Sequence, residues 1–314
     1  MDERLRQVAV ATAPKPDGAP AALEARDVYK VFVARGRPRT ALRAVSLTVR
    51  PGEFLALIGP SGCGKSTVLN MFAGLVPPSD GQVLHDGQPV RGVNTRVGYV
   101  TQDDNLLPWR TTLGNVEIAL ELKGMAPERR RERALAWLAR VGLTGFEHHY
   151  PHELSGGMRK RASIVRTLVD ESADVVLMDE PLGPLDAQTR LLLQDELLQL
   201  WQGSGRTVVF VTHDLVEAIA LSDRIAIFTS APGTIKAVRE VPIGRPRDVF
   251  HIHEAPGFPE IYDAIWRDLR EEIRKVKASE SAEAMPKGTA APAPLPPVGG
   301  GGGLGGGPEV SKDA

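Results

Sequence analysis

A single cysteine, Cys63, is too little for any disulfide within the 314-residue chain, which excludes a disulfide-framed secreted scaffold and suits a reducing compartment. Long apolar runs are missing too. No stretch approaches the roughly 18 apolar residues that a spanning helix needs, so any membrane role is expected to pass through a partner. Charge of one sign is not in excess either: 38 Lys and Arg face 39 Asp and Glu, a net charge of -1, and no direct nucleic-acid partner is expected on that balance. The first residues, Asp2, Glu3, Arg4 and Arg6 followed by Ala and Pro, carry no apolar secretory run, and the cytoplasm is the expected compartment.

What is present is an ordinary globular interior between two low-complexity ends. With 42% apolar and 25% charged residues a large core is possible. Residues 1–21, with Pro14, Pro16, Gly18 and Pro20, have little to bury, and residues 278–314 turn to Ala, Pro and Gly, ending in Gly299 to Gly303 and Gly305 to Gly307. Both are expected to be disordered, because such composition cannot offset the entropy of ordering. Between them, 22–250 reads as one catalytic domain with a helical subdomain at about 103–170, and 251–277 as a C-terminal helical extension.

Four short apolar runs, Phe54–Ile58, Val97–Val100, Val175–Met178 and Val208–Val211, predict strands buried on both faces of a parallel sheet. Helical spacing separates them. Ala134, Leu135, Trp137, Leu138 and Val141 share a face of the segment from Arg129 to Val141, and leucines recur from Arg190 to Trp201. Leu23 to Val49 alternates, with a break at Gly36 to Pro38, predicting antiparallel strands. The fold class is therefore α/β with an antiparallel edge.

The chemistry lies in Gly59, Pro60, Ser61, Gly62, Cys63, Gly64, Lys65, Ser66 and Thr67, which follow a predicted strand and open a helix. The glycines let backbone amides converge on a phosphate at the positive end of that helix. Lys65 adds a cation for the β- and γ-phosphates, and the Ser66 hydroxyl suits a Mg²⁺ shell. The expected cofactors are ATP and Mg²⁺. Farther on, the apolar run 175–178 ends in Asp179 and Glu180. Asp179 is placed to hold Mg²⁺ through water and Glu180 to polarise the attacking water. The plainer alternative is a pair of acids capping the next helix.

Many nucleotide-hydrolysing families share those two elements, so the segment Tyr150-Pro151-His152-Glu153-Leu154-Ser155-Gly156-Gly157-Met158-Arg159 is what discriminates. It resembles the signature region of bacterial ATP-binding cassette importers, particularly the nitrate, sulfonate and taurine branch, over about residues 22 to 270. The resemblance implies a nucleotide-binding domain of the phosphate-loop class, with an antiparallel β subdomain and a helical signature subdomain. It also implies an ATP-hydrolysing homodimer in which Ser155, Gly156 and Gly157 meet the γ-phosphate held by the other subunit. That dimer would drive transmembrane permease subunits and, indirectly, a solute-binding protein, from the cytoplasmic face of the inner membrane. Residue by residue, Phe32 matches the aromatic that stacks on adenine, with Tyr29 as the nearby alternative. Gln102 matches the glutamine that touches Mg²⁺ or the lytic water, Asp186 the acid of the dimer-contacting loop, and His213 the histidine on the γ-phosphate.

Departures accompany the match. Pro184 stands where the family usually has Ala, which fixes φ and removes a donor. Lys160 stands for the usual Gln behind the signature, and Val165 and Thr167 stand for alanines. Leu107 and Trp109 fall in the region that borders a permease groove in that family; the plainer alternative is packing inside the helical subdomain. His148, His149 and His152 bring no set of Cys or carboxylates to complete a zinc site. The run Arg129, Arg130, Arg131 and Arg133 reads as a solvated helix face, and His251 and His253 as surface residues. The rival functions are a soluble cassette ATPase acting on DNA or ribosomes, for which a coiled-coil insertion or tandem cassette is missing, and an exporter ATPase. The stretch Pro232-Gly233-Thr234-Ile235 resembles the importer branch. The transported molecule is not legible.

Overall fold

The computed structural model describes residues 20–34, 36–183 and 185–284. Most of both expected tails, and Pro184, lie outside these residues. The expected strands and helices form, with small changes of boundary.

Two sheets organise the chain. In the first, β1 (Leu23–Ala34) and β2 (Arg37–Val49) pair antiparallel around the Gly36 break, and β1 continues onto β4 (Asp80–His85) and the short β5 (Gln88–Pro89), giving the order β2-β1-β4-β5. The second contains β3 (Phe54–Ile58), β6 (Val97–Val100), β7 (Val175–Asp179), β8 (Thr207–Val211), β9 (Arg224–Phe228) and β10 (Ile235–Glu240), in the order β10-β9-β3-β8-β7-β6. Its pairings are parallel except for β10 against β9. β3 and β8 are buried at every position. This is why their sequences are unbroken apolar runs and not alternating ones: helices or the other sheet cover both faces.

Phe54 on β3 meets Trp201 edge to face at 5.4 Å and Phe210 at 5.7 Å, so the strand is anchored under α5 (Ala187–Trp201). The helical side is made of α2 (Thr112–Leu122), α3 (Pro127–Arg140) and α4 (Gly156–Leu168). α3 starts two residues before the predicted Arg129, because Pro127 sits in its first turn, where a missing N–H costs nothing. At the other end α7 (Phe258–Ala284) continues past the expected change of character at residue 278. The α1 helix (Lys65–Phe72) and α6 (Leu215–Leu221) complete the layers.

An ionic clasp joins the two sheets. His85 Nε2 lies 3.2 Å from Asp174 Oδ1 just before β7, and Arg96 bridges Asp86 and Asp174. His85, Asp86 and Asp174 are the one group of three clustered metal-ligand types among the described residues, and the Arg96 guanidinium already supplies their cation.

Candidate nucleotide site

At the end of β3 the backbone turns through 59–64 and enters α1 at Lys65. Gly64, the residue that caps α1, has φ of 102°, and a Cβ there would stand 2.5 Å from Leu42 Cδ2. Glycine is therefore demanded twice, by conformation and by space. Lys65 is 6% exposed, and its ammonium donates to the carbonyls of Gly59 at 2.8 Å and Pro60 at 3.1 Å. The first-turn amides of α1 have no intrahelical acceptor and carry the positive end of the helix dipole. A loop with open amides and a lysine folded over it is a receptor for phosphate oxygens.

The loop has a buttress that sequence reading missed. Gly233 exchanges backbone hydrogen bonds with β2, donating to Ala41 O at 2.8 Å and accepting from Arg43 N at 2.9 Å. A Cβ on Gly233 would fall 1.9 Å from the Cys63 carbonyl oxygen, so only glycine allows this approach. The signal was present in Pro232-Gly233, but its target lies far away in sequence.

Asp179 closes β7 with Oδ1 accepting the Ser66 hydroxyl at 2.9 Å, across the sheet from where the two residues leave the sequence. Burial pushes the Asp179 carboxyl upward and the Glu180 charge adds to that, while Ser66, Lys65 and Tyr99 oppose it. A half-buried carboxylate beside a hydroxyl is a pair of hard oxygen donors, which fits Mg²⁺. Tyr99, absent from the sequence-level site, stands next to Asp179 with its hydroxyl donating to Asn70 Oδ1 at 3.2 Å; burial and the Asp179 charge hold the phenol well above its ordinary range.

Glu180 has φ of 42°. A non-glycine residue there stores about 1–3 kcal/mol of strain, and the turn breaks the strand alternation so that Asp179 and Glu180 face one site in two different ways. The strained turn is held by Glu180 N donating to Val211 O at 3.0 Å and Gly183 N to Glu180 O at 3.2 Å. His213, mostly exposed after β8, has Nδ1 3.5 Å from Glu180 Oε2. Sequence reading also missed its support: the Thr212 hydroxyl donates to buried Glu217, which accepts from Gln194 Nε2 at 3.3 Å, and Asp214 N donates to Thr212 Oγ1 at 3.0 Å. A lone glutamate among the apolar residues of α6 was the available sign.

The remaining residues lie apart from this centre. Ser155 caps α4, its Oγ accepting Met158 N at 3.2 Å, and Asp186 caps α5, its Oδ1 accepting Thr189 N at 2.9 Å. The two caps are neighbours, since a Cβ on Gly157 would meet Thr189 Cγ2 at 2.9 Å. Ser155, Gly156 and Asp186 are exposed. Among the described residues no hydrogen bond or ion pair joins 155–157 to 59–67. Gln102 is exposed on the loop after β6. Phe32 is 42% exposed on β1 with Lys30 Nζ 5.0 Å from its ring centroid, while Tyr29 is half-buried. Trp109 is 71% exposed, but Leu107 is half-buried, its backbone held by the Asn115 amide group at 2.7 and 3.1 Å.

Comparison with known proteins adds relatives to this geometry. The ABC transporter family matches residues 42–183. An uncharacterised ABC transporter ATP-binding protein, MJ0412 of Methanocaldococcus jannaschii, is 46% identical over 253 residues, 81% of this chain and 93% of the relative. Taurine import ATP-binding protein TauB is 45% identical in Yersinia pestis, over 64% of this chain and 78% of the relative, and 40% identical in Burkholderia pseudomallei, over 82% and 100%. Among solved structures, the post-hydrolysis dimer of the ATP-binding cassette MJ0796 with ADP and Pi has a TM-score of 0.63 and 34% identity, covering 70% of this chain and 98% of that one.

Proposed function

This chain belongs to the ATP-binding cassette family of transporter ATPases and hydrolyses ATP; from that premise we propose that it is the energising subunit of an importer for taurine, another sulfonate, nitrate or a related small solute. The observation that supports ATP hydrolysis is the Ser66–Asp179 oxygen pair set beside Glu180 in its left-handed turn and His213. Relatives named for taurine import, one matched over its full length, support the direction of transport.

In this reading Lys65 swings from the Gly59 and Pro60 carbonyls to the β- and γ-phosphates, and the amides of 61–67 surround them. Phe32 stacks on the adenine. Ser66 and Asp179 would hold Mg²⁺, with Gln102 reaching toward it or the lytic water; the ion would neutralise charge on the phosphate oxygens. Glu180 takes the proton of the attacking water and His213 steadies the γ-phosphate. Ser155, Gly156 and Gly157 serve the nucleotide of a second copy, since their open caps have no phosphate loop of their own to serve, and Asp186 touches the same partner. A dimer bound to ADP and Pi is known for MJ0796.

Among the described residues no helix is long and apolar enough to cross a membrane. By likeness to relatives named as import ATP-binding proteins, the proposed place is peripheral, at the cytoplasmic face of the inner membrane, with exposed Trp109 and Leu122 on the helical side meeting permease subunits. The test is a mild-detergent pull-down of tagged Glu180→Gln protein with ATP from native membranes. Co-purification of a multispanning permease supports the importer, and its solute-binding protein identifies the substrate; ribosomes or DNA without a permease overturn it, and an export permease reverses the direction.

A further inference from the structure

Lys160 is only 3% exposed, yet among the described residues it forms no salt bridge. Its ammonium instead donates to two consecutive carbonyls of the loop after β6, Thr101 O at 2.8 Å and Gln102 O at 2.9 Å. A buried ammonium is costly without such partners. Lysine suits the place because it brings three N–H donors and no lone pair that would itself need satisfying.

The same face of α4 grips the rest of that loop. Arg166 donates to Asn105 O at 2.6 Å and Asp104 O at 3.1 Å, and Arg159 Nε donates to Asp104 Oδ2 at 3.0 Å. Residues 101–105 are thus tied by their backbone to the helix whose first turn carries Ser155 and Gly157. We propose that Lys160 is a positioning residue for hydrolysis: it fastens the Gln102 backbone to the signature helix, so that α4 and Gln102 move as one body relative to the Ser66–Asp179–Glu180 centre. The inference rests on the reading of Gln102 as a group that acts there. Its consequence is that the half-site serving the partner's nucleotide and the group serving this chain's own nucleotide are mechanically joined.

Burial brings Lys160 down to about 8, with the Arg166 charge of the helix pushing the same way and the Asp104 and Asp103 charges of the loop opposing it.

The experiment measures ATP hydrolysis by the purified full chain as wild type, Lys160→Met, Gln102→Ala and the double variant, with thermal melting of each. Lys160→Met is expected to lower kcat about tenfold while KM for ATP stays within about twofold, since lost charge-assisted hydrogen bonds act on placement and not on nucleotide binding. The double variant is expected to be no slower than Gln102→Ala alone. If Gln102→Ala is slow and Lys160→Met is not, or if the two losses multiply, the positioning role is overturned. If Gln102→Ala keeps full kcat, it is the role of Gln102 that fails, and this inference falls with it. Should Lys160→Met melt too low to assay, Lys160→Gln, which keeps two of the three N–H donors, carries the same comparison with Gln102→Ala, with a smaller loss of kcat than tenfold and KM for ATP unchanged; a full wild-type kcat beside a slow Gln102→Ala overturns the role.

Discussion

The phosphate-loop end and the signature end of this molecule are built on opposite plans. At the first, a lysine and a hydroxyl from α1 meet two carboxylates at the end of β7, and Lys65, Ser66 and Asp179 make their hydrogen bonds inside the chain. At the second, Ser155 and Asp186 satisfy only their own helices and otherwise face solvent. One end is internally complete and strained; the other is relaxed and open. Such a division suits the proposed composite site, in which the chemistry is prepared in each copy and its trigger is supplied by the neighbour.

The largest effect should come from the strained end. Glu180→Gln should lower kcat about a thousandfold, the range of a lost general base, while ATP binding persists and trapped nucleotide holds a dimer. Sizing with and without ATP checks this; a variant that stays monomeric with ATP breaks the division of labour. Lys65→Ala should instead weaken ATP affinity about a hundredfold through its lost charge-assisted hydrogen bonds, measured by titration calorimetry, and unchanged affinity would remove Lys65 from the phosphates.

The support behind His213 gives a pH test. Burial pushes Glu217 up to about 7, with Asp214 adding to the shift and Thr212, Gln194 and Arg190 opposing it. The folded chain thus holds this proton more tightly than the unfolded chain, whose value is the ordinary 4.5. The stability from this group is complete below about pH 4.5 and is lost as pH rises through about 7, roughly 3 kcal/mol in all. Urea unfolding from pH 4.5 to 8 should show this decline in the wild type and a flatter curve in Glu217→Gln. The smallest effect sharpens the relaxed end: Gly157→Ala should cost about 1 kcal/mol by pressing on Thr189, and Thr189→Ser, which removes the offending methyl, should restore the melting temperature.

The parts legible in the sequence were those whose cause is local. Phe54–Ile58 and Val208–Val211 announced buried strands by composition alone, and Gly64, Lys65 and Ser66 follow a strand and open a helix within a few residues. Asp179 and Glu180 were legible as a pair, but the left-handed turn that separates their directions depends on Val211, a strand away. Gly233 and Tyr99 were missed because what they touch is distant in sequence. Lys160 and Thr167 stood out only as departures from a pattern; the structure gives each a contact, Lys160 with the Gln102 loop and Thr167 with Gly98, where a Cβ would lie 2.6 Å from the threonine methyl. The helix past residue 278 was hidden by the change to small residues there.

The place of β3 in the sheet has a consequence for how the chain is made. Its neighbours are β8 and β9, and the loop that follows it rests against Gly233, all of which leave the ribosome long after it does. A nascent chain that has already displayed its whole phosphate-loop sequence therefore has no finished receptor to offer. The loop gains its sheet neighbours and its Gly233 buttress only once the last third of the domain has emerged.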